Sequence, residues 1–417
     1  MKILWLDINC SYVHASLALP AIHAQCAEVD AEWEVVSSTL STPIGTLVNQ
    51  IVTHQPEIIA GTAWLFTHDY LLNVIYRVKA ILPEVMIVLG GPEFLGENEG
   101  YLRKHSLIDA VFRGEGEESF PEWLKRGKNK EHWEGLPGLC FLNGENGYQD
   151  GGLARVMDFA MLKSPEDSHF FNWNKPFVQL ETTRGCFSSC AFCVSGAEKP
   201  VRSIPLEKVR ERIQNIHAHG IREIRLLDRT FNGDTRRAVG MIQIFQEFPD
   251  MRFHLEIHPA LLPEDLRKLL AELPNQILHV EAGIQSLREP VLKASKRAGK
   301  LQDALDGLEF LCRLENMETH ADLIVGLPLY ALAHIFEDIR TLAAFGAGEI
   351  QLELLKVLPG TEMRTHAASL GLIYSPLPPY EILQTRELNA GEIQTGRLLS
   401  RLLEDCPQRH KAIRLRT

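Results

Sequence analysis

The chain has 417 residues, 45% hydrophobic and 23% charged, with a formal net charge of −11. That length predicts two or three domains, and the composition excludes intrinsic disorder. The acidic balance argues against a protein that coats nucleic acid. No apolar run is long enough to span a bilayer, and MKILWLDINC meets Asp7 too early for a signal peptide. Eight cysteines, three of them between 186 and 193, do not read as a secreted disulfide framework. A cytoplasmic protein with one metal or cluster site is expected.

Residues 1–126 alternate short apolar strands (Lys2–Ile8, Glu34–Ser38, Glu57–Gly61, Val85–Leu89, Ala110–Phe112) with helical stretches such as Ala15–Ala27 and Tyr70–Ile81. This rhythm predicts an open parallel sheet of flavodoxin-like, Rossmann type, with ligands bound beyond the strands' carboxyl ends. Residues 127–175, rich in Gly, Asn and charge, predict a small hairpin and a linker. Residues 176–358 repeat strand and helix six times. Strands are expected at Phe177–Glu181, Glu223–Leu227, Arg252–Ile257, Leu278–Gly283, Ala321–Val325 and Glu349–Leu355. Helices are expected at Leu206–Ala218, Thr235–Gln246, Pro263–Glu272, Gln302–Glu315 and Leu332–Phe345. This is the pattern of a partial (β/α)6 barrel with its site at the strands' C-terminal ends. Residues 359–417 read as a helical extension ending in a basic tail.

The strongest local signal is TTRGCFSSCAFC at 182–193, directly after the first barrel strand. Thiolates suit both zinc and iron–sulfur centres, so ligand type does not decide between them. Structural zinc sites usually have four protein ligands, and no second cysteine pair is present to close such a shell. Three thiolates on one loop would leave one iron of a cubane cluster open. The motif resembles the CxxxCxΦC loop of the radical S-adenosylmethionine (SAM) superfamily, with Phe192 at the aromatic position. The resemblance implies that Cys186, Cys190 and Cys193 hold three irons of a [4Fe–4S] cluster and that SAM chelates the fourth. It also implies reductive cleavage of SAM to a 5′-deoxyadenosyl radical. Further segments follow in the family's order. LLDRTFN (226–232) places Asp228 where the family meets the SAM amino group, and FHLEIH (253–258) supplies Glu256. VEAGIQS (280–286) puts Gln285 and Ser286 near the SAM ribose, and KASKRAGK offers Arg297 to its carboxylate. DLIVGLP (322–328) puts Gly326 against adenine but continues Leu329-Tyr330 where the family often has Gly-Glu. LLKVLPGT (354–361) is similar to the sixth strand end.

VLGGPE (88–93), VFRGEGEESF (111–120) and SYVHASLALPAIHA (11–24) resemble the cobalamin-binding domain of a radical SAM subgroup. With PPYEIL (378–383) near the end, the whole order resembles an uncharacterised bacterial family of that subgroup. The resemblance implies cobalamin contacts at Gly90, Gly91, Gly114, Glu115 and Gly116. Thr62 and Trp64 are then expected at the lower corrin face. The Asp-x-His-x-x-Gly motif of cobalamin mutases is not matched by the Asp7–His14 loop, which implies a cobalt without a protein imidazole below it.

Three functions follow from these expectations. The first is a cobalamin-dependent radical SAM methyltransferase acting on an unactivated carbon of a small molecule or peptide, fed by a flavodoxin- or ferredoxin-type reductant. The second is radical cyclisation, rearrangement or tetrapyrrole chemistry without methyl transfer. The third is a non-enzymatic iron–sulfur or corrin sensor. A methylthiotransferase would need a second cysteine triad, whereas Cys10, Cys26, Cys140, Cys312 and Cys406 are scattered and read as small apolar fillers.

Overall fold

A computed structural model describes residues 1–11, 16–144 and 147–404. His14, Cys406 and the basic tail lie outside the described residues. The chain divides into two units, Met1–Lys175 and Pro176–Thr417.

The first unit is built on a seven-stranded sheet in the order β2-β1-β3-β4-β5-β6-β7. Its strands are β1 (Lys2–Asn9), β2 (Glu32–Thr39), β3 (Ile58–Thr62), β4 (Met86–Gly90), β5 (Ala110–Phe112), β6 (Leu139–Leu142) and β7 (Tyr148–Asp150). The helices are α1 (Ala18–Gln25), α2 (Ile44–His54), α3 (His68–Ile81), α4 (Glu99–Lys104) and α5 (Ser119–Arg126). β1 to β5 pair in parallel; β3 and β5 are buried on both faces, whereas the edge strand β2 is largely half-buried or exposed. Leu4, Leu6, Ile59, Ile87 and Leu89 pack with Leu47 and Ile51 of α2 and Val74 and Ile75 of α3. Ile3, Trp5, Ile58, Ala60 and Val88 pack with Leu19 and Ile22 of α1 and Phe120 and Trp123 of α5. Both faces therefore need apolar side chains, so the strands read as continuous hydrophobic runs.

α2 fills the expected strand–helix rhythm between β2 and β3; its apolar stripe is Leu47, Val48 and Ile51, and it ends at left-handed Gln55 just before Pro56, which cannot continue a helix. The hairpin expected in 127–175 is β6–β7, and it joins the sheet itself, extending it in antiparallel fashion through Ala110↔Phe141 and Phe112↔Leu139. The burial of Cys140 and Phe141 in the two cores explains why.

The second unit holds a six-stranded, all-parallel sheet in sequential order. Its main strand β8 (Val178–Leu180) is followed by a two-residue ladder, β9 (Thr183–Arg184) with β10 (Arg202–Ser203). The other main strands are β11 (Glu223–Leu226), β12 (Arg252–Ile257), β13 (Leu278–Gln285), β14 (Glu318–Val325) and β15 (Glu349–Leu354). The intervening helices are α6 (Leu206–Ala218), α7 (Thr235–Gln246), α8 (Glu264–Ala271), α9 (Glu289–Ala294), α10 (Leu301–Arg313) and α11 (Leu332–Phe345). β8 and β15 remain the two edges, giving a partial barrel.

The C-terminal segment is only partly helical. Short α12 (Glu362–Thr365) and α13 (Ala367–Leu370) lead to a hairpin, β16 (Ile373–Tyr374) with β17 (Ile382–Gln384), and then to α14 (Ala390–Glu404). Pro376, Pro378 and Pro379 forbid a helix through the hairpin. Gly396 lets α14 approach Val325 of β14 closely.

Candidate functional site

The three-cysteine loop leaves the barrel after β8 and is closed at its base by the β9–β10 ladder. Gly185 holds φ +87°, and any side chain there would strike the Glu198 carbonyl oxygen. Cys186 N donates to Glu198 O (3.2 Å) and Cys193 N to Cys190 O (3.1 Å). Outside the loop, Ala191 N donates to Ser295 O (2.9 Å) and Met363 N to Ala191 O (2.8 Å). These bonds fix the loop to the turn after α9 and to the start of α12. All three thiols are free. Burial raises the Cys193 pKa, and the thiolates of Cys190 and Cys186 add to the rise, so the three sulfurs lie within electrostatic reach of one another. Among the described residues no three His, Cys, Asp or Glu side chains gather around a single point as one ion would require. A cubane offers each thiolate a different iron, so its donors need not converge. The soft all-sulfur donor set on one anchored loop fits an iron–sulfur cluster.

Polar groups surround the sulfurs. Arg297 Nη1 donates to Cys190 Sγ (3.6 Å) and Nη2 to the Gly283 carbonyl (2.5 Å). Ser188 Oγ lies 3.1 Å from Cys190 Sγ, and Thr230 Oγ1 lies 3.6 Å from Cys186 Sγ. Ser188 and Thr230 were not expected from sequence; Ser188 gives the signal of a hydroxyl two residues from a ligand, and Thr230, 44 residues from Cys186, gives none.

Several expected SAM contacts take other roles. Asp228, 2% exposed, accepts from Thr182 N (2.7 Å), Thr183 N (2.9 Å) and the Thr182 hydroxyl. It ties the ends of β8 and β11 together, so it is a structural clamp with no free oxygen for a ligand amine. Ser286 is fully buried, donates to Asp338 and accepts from Arg288 N. With Tyr330 and Arg288 also bound to Asp338 it fixes the turn after β13 rather than a ribose. Gly326 is required by φ +92° and by Ile382, whose Cγ2 would lie 2.7 Å from any Cβ. Phe192 is half-buried on the cysteine loop. Gln285 has a left-handed backbone, φ +71°, at the irregular end of β13, and its amide lies with Arg297 beside Gly283. Such strain in a non-glycine residue is a feature of functional sites.

Glu256 faces the inner side of the barrel, where burial pushes its carboxyl up to about 7. That side carries an ionisable layer absent from the sequence reading. His254 Nε2 lies 3.2 Å from Glu281 Oε2, His279 Nε2 lies 2.8 Å from His320 Nε2, and His320 lies 3.1 Å from Glu349. Burial, then the charge of Glu281, raises Asp322 well above the carboxylate range. The signal was present: RFHLEI, LHVEAGIQ and ETHADLIV place a polar residue at nearly every second position.

In the first unit, Thr62 and Gly90 are register partners at the ends of β3 and β4, and Ala63 N donates to Gly90 O (2.8 Å). Gly91 needs its glycine: at φ +112° a Cβ would lie 2.7 Å from Thr62 Cγ2. Trp64 and Phe66 follow β3, 37% and 55% exposed. They lie beside the point where the chain order reverses between β1 and β3, the usual position of a ligand crevice. The Gly114-Glu115-Gly116 segment does something else. Glu115 N donates to Ala154 O (3.0 Å), and Glu115 Oε2 accepts from Val156 N (2.9 Å). A side chain at Gly114 would strike the Ala154 backbone, and one at Gly116 would lie 3.1 Å from Ile22 Cδ1. Gly114 and Glu115 hold the returning chain at 154–156, and Gly116 packs on α1, so Gly114 and the Glu115 side chain serve internal packing rather than the expected ligand contact. Cys26, Cys140 and Cys312 are buried as expected, but Cys10 is exposed and fills no core.

Comparison with known proteins agrees with both units. Residues 6–124 match the B12 binding domain, and residues 180–342 match the radical SAM superfamily. The chain is thus a radical SAM enzyme with an N-terminal B12-binding domain, and its cofactors are SAM, a [4Fe–4S] cluster and cobalamin. It is 26% identical over 329 residues to an uncharacterized methyltransferase of Pyrococcus horikoshii, covering 76% of this chain and 71% of that protein. It is 24% identical over 358 residues to the cobalamin-dependent radical SAM methyltransferase TokK of Streptomyces tokunonensis, covering 78% of this chain but only 50% of that protein. Its fold matches the radical SAM methyltransferase TsrM of Kitasatospora setae, solved with cobalamin and a [4Fe–4S] cluster. The TM-score is 0.71 at 16% identity, over 94% of this chain and 84% of that one. Among the described residues no helix is long and apolar enough to cross a membrane.

Proposed function

We propose that this enzyme transfers a methyl group from SAM, by way of cobalamin, to an unactivated carbon of a small molecule or peptide. A one-electron donor of flavodoxin or ferredoxin type supplies the cluster. The observation that carries this reading is the presence of both cofactor domains in one chain, together with its similarity to the methyltransferases of Pyrococcus horikoshii and Streptomyces tokunonensis; its relatives also include tRNA-2-methylthio-N(6)-dimethylallyladenosine synthases. The cofactors supply the chemistry: a reduced cluster cleaves SAM to a radical that removes hydrogen, and the corrin carries the methyl group. The protein's own residues provide placement. Cys186, Cys190 and Cys193 would hold the cluster, with Glu256, Gln285 and Arg297 nearest to the expected SAM position. Thr62, Trp64, Gly90 and Gly91 would border the corrin. Burial pushes the Cys26 thiol up to about 12 and Cys140 up to about 11. The cysteines of the first unit, Cys10, Cys26 and Cys140, form no closely spaced triad, which argues against a second cluster there and hence against methylthiolation.

The test is anaerobic. Protein loaded with iron, sulfide and cobalamin is given SAM and dithionite. Accumulation of both 5′-deoxyadenosine and S-adenosylhomocysteine is expected. Deoxyadenosine alone would favour radical chemistry without methyl transfer, and neither product would leave only a sensor.

A further inference from the structure

We infer that Arg297 is a positioning residue that sets the reduction potential of the cluster through Cys190, rather than a partner of the SAM carboxylate. This rests on the three cysteines being the cluster's ligands. The three sulfurs are not alike. Cys190 is buried and meets two side-chain donors, Arg297 Nη1 at 3.6 Å and Ser188 Oγ at 3.1 Å. Once Cys190 is a thiolate it has no proton to give, so the Ser188 hydroxyl must be the donor. Cys186 has Thr230 Oγ1 at 3.6 Å, but that hydroxyl gives its single proton to the Arg229 carbonyl at 2.6 Å. Cys193 accepts a backbone hydrogen bond from Ser195. Among the described residues, Cys190 therefore receives a guanidinium hydrogen bond directly on its sulfur, whereas the charge of Arg229 reaches Cys193 through space.

The guanidinium is held in that position from several sides. Its second arm binds the Gly283 carbonyl of β13 at 2.5 Å. Its backbone N donates to Leu292 O (2.9 Å) at the end of α9, behind left-handed Lys296 (φ +54°). The same turn accepts the Ala191 N–H at Ser295 O, one residue after Cys190. An arginine so fixed acts as a preorganised donor to one cluster ligand. Hydrogen bonds and positive charge at the ligand sulfur favour the reduced cluster, which carries one more negative charge, and so raise the potential.

The experiment is a redox titration of the cluster-loaded full chain, without SAM, followed by electron paramagnetic resonance. Iron content and SAM affinity are measured alongside. Arg297→Met is expected to keep its iron while its reduction equilibrium falls at least tenfold, which is 59 mV for a one-electron couple. Arg297→Lys keeps the charge but loses the fork, and is expected between parent and Met. Ser188→Ala should shift in the same direction by less. A parent-like potential in Arg297→Met overturns the inference, above all if SAM affinity falls, since Arg297 is then a SAM contact. Should Arg297→Met lose its iron, the lysine variant decides: a potential equal to the parent overturns the inference and a lower one supports it. Cys190→Ala separates the underlying reading, because full iron retention there would show that the ligand assignment itself is wrong.

Discussion

Both sheets are largely parallel, yet they distribute polarity in opposite ways. β3 is buried at every position, and β1 and β4 carry unbroken buried runs at Ile3–Leu6 and Ile87–Leu89. β12, β13, β14 and β15 instead alternate buried and half-buried residues along their length. Alternation is the usual mark of an antiparallel sheet with one wet face. Here it marks a parallel sheet with helices on its outer side and half-buried ionisable residues on the other. The difference teaches where chemistry can reside. The first unit keeps its functional groups at strand ends, because its faces are sealed by helices. The barrel carries ionisable groups along the strands themselves.

The hardest test of that contrast is a charge placed in each sheet. Ile59, 1% exposed in the central β3, belongs to the apolar cluster that joins β1, β4, α2 and α3. Ile59→Asp should destabilise the first unit by at least about 4 kcal/mol, read by denaturant unfolding. Exchange of Gln351 for Glu on the inner face of β15 should change barrel stability by under about 1 kcal/mol. Equal losses would erase the distinction. Next comes Asp228, whose carboxylate satisfies two backbone N–H groups and a hydroxyl. Asp228→Ala orphans buried donors and should cost about 3 kcal/mol. A loss of SAM affinity at unchanged stability would instead restore Asp228 as a ligand contact.

The pH dependence of the barrel follows from its interior. The Glu256 carboxyl is raised from 4.5 to about 7 by burial. Between those values the folded state holds the extra proton, so stability falls as pH rises from about 4.5 to 7. Discounted for partial exposure, the effect is about 2 kcal/mol. His279 has the opposite sign: burial, then His320, pushes it down to about 3. The unfolded state binds that proton first, so stability falls as pH drops below about 6.5. Glu256→Gln should remove the loss on the alkaline side and leave the acid side intact, as measured by unfolding from pH 4 to 9. An unchanged profile would show that Glu256 is solvated.

Much of this was legible in sequence because periodicity reports burial. α6, α7, α11 and β12 have the expected bounds, since each carries an uninterrupted apolar pattern. The cysteine loop was legible because spacing along the chain is itself the signal. What sequence could not show is direction. Asp228, Ser286 and Glu115 sit at strand ends, where a polar residue can turn toward a ligand or back onto the chain, and all three turn back. Long-range pairing was equally hidden. Nothing local says that Ala154 returns to Gly114 or that Ile382 covers Gly326.

Glu115 provides the mildest test of the same contrast. In the first unit a polar side chain at a strand end can be structural or ligand-facing, and its hydrogen bond to Val156 N makes it structural. Glu115→Ala removes one acceptor from the amide of Val156, a residue only 1% exposed, through a bond that is itself part-buried. The expected cost is about 1 kcal/mol. Cobalamin affinity, measured by equilibrium dialysis, should stay within twofold of the parent, because the carboxylate faces the chain. Trp64→Ala, at the exposed end of β3, should weaken cobalamin binding at unchanged stability. If the two results are exchanged, the corrin lies over the Gly114–Gly116 turn, and the ligand edge of this sheet has been placed two strands too early.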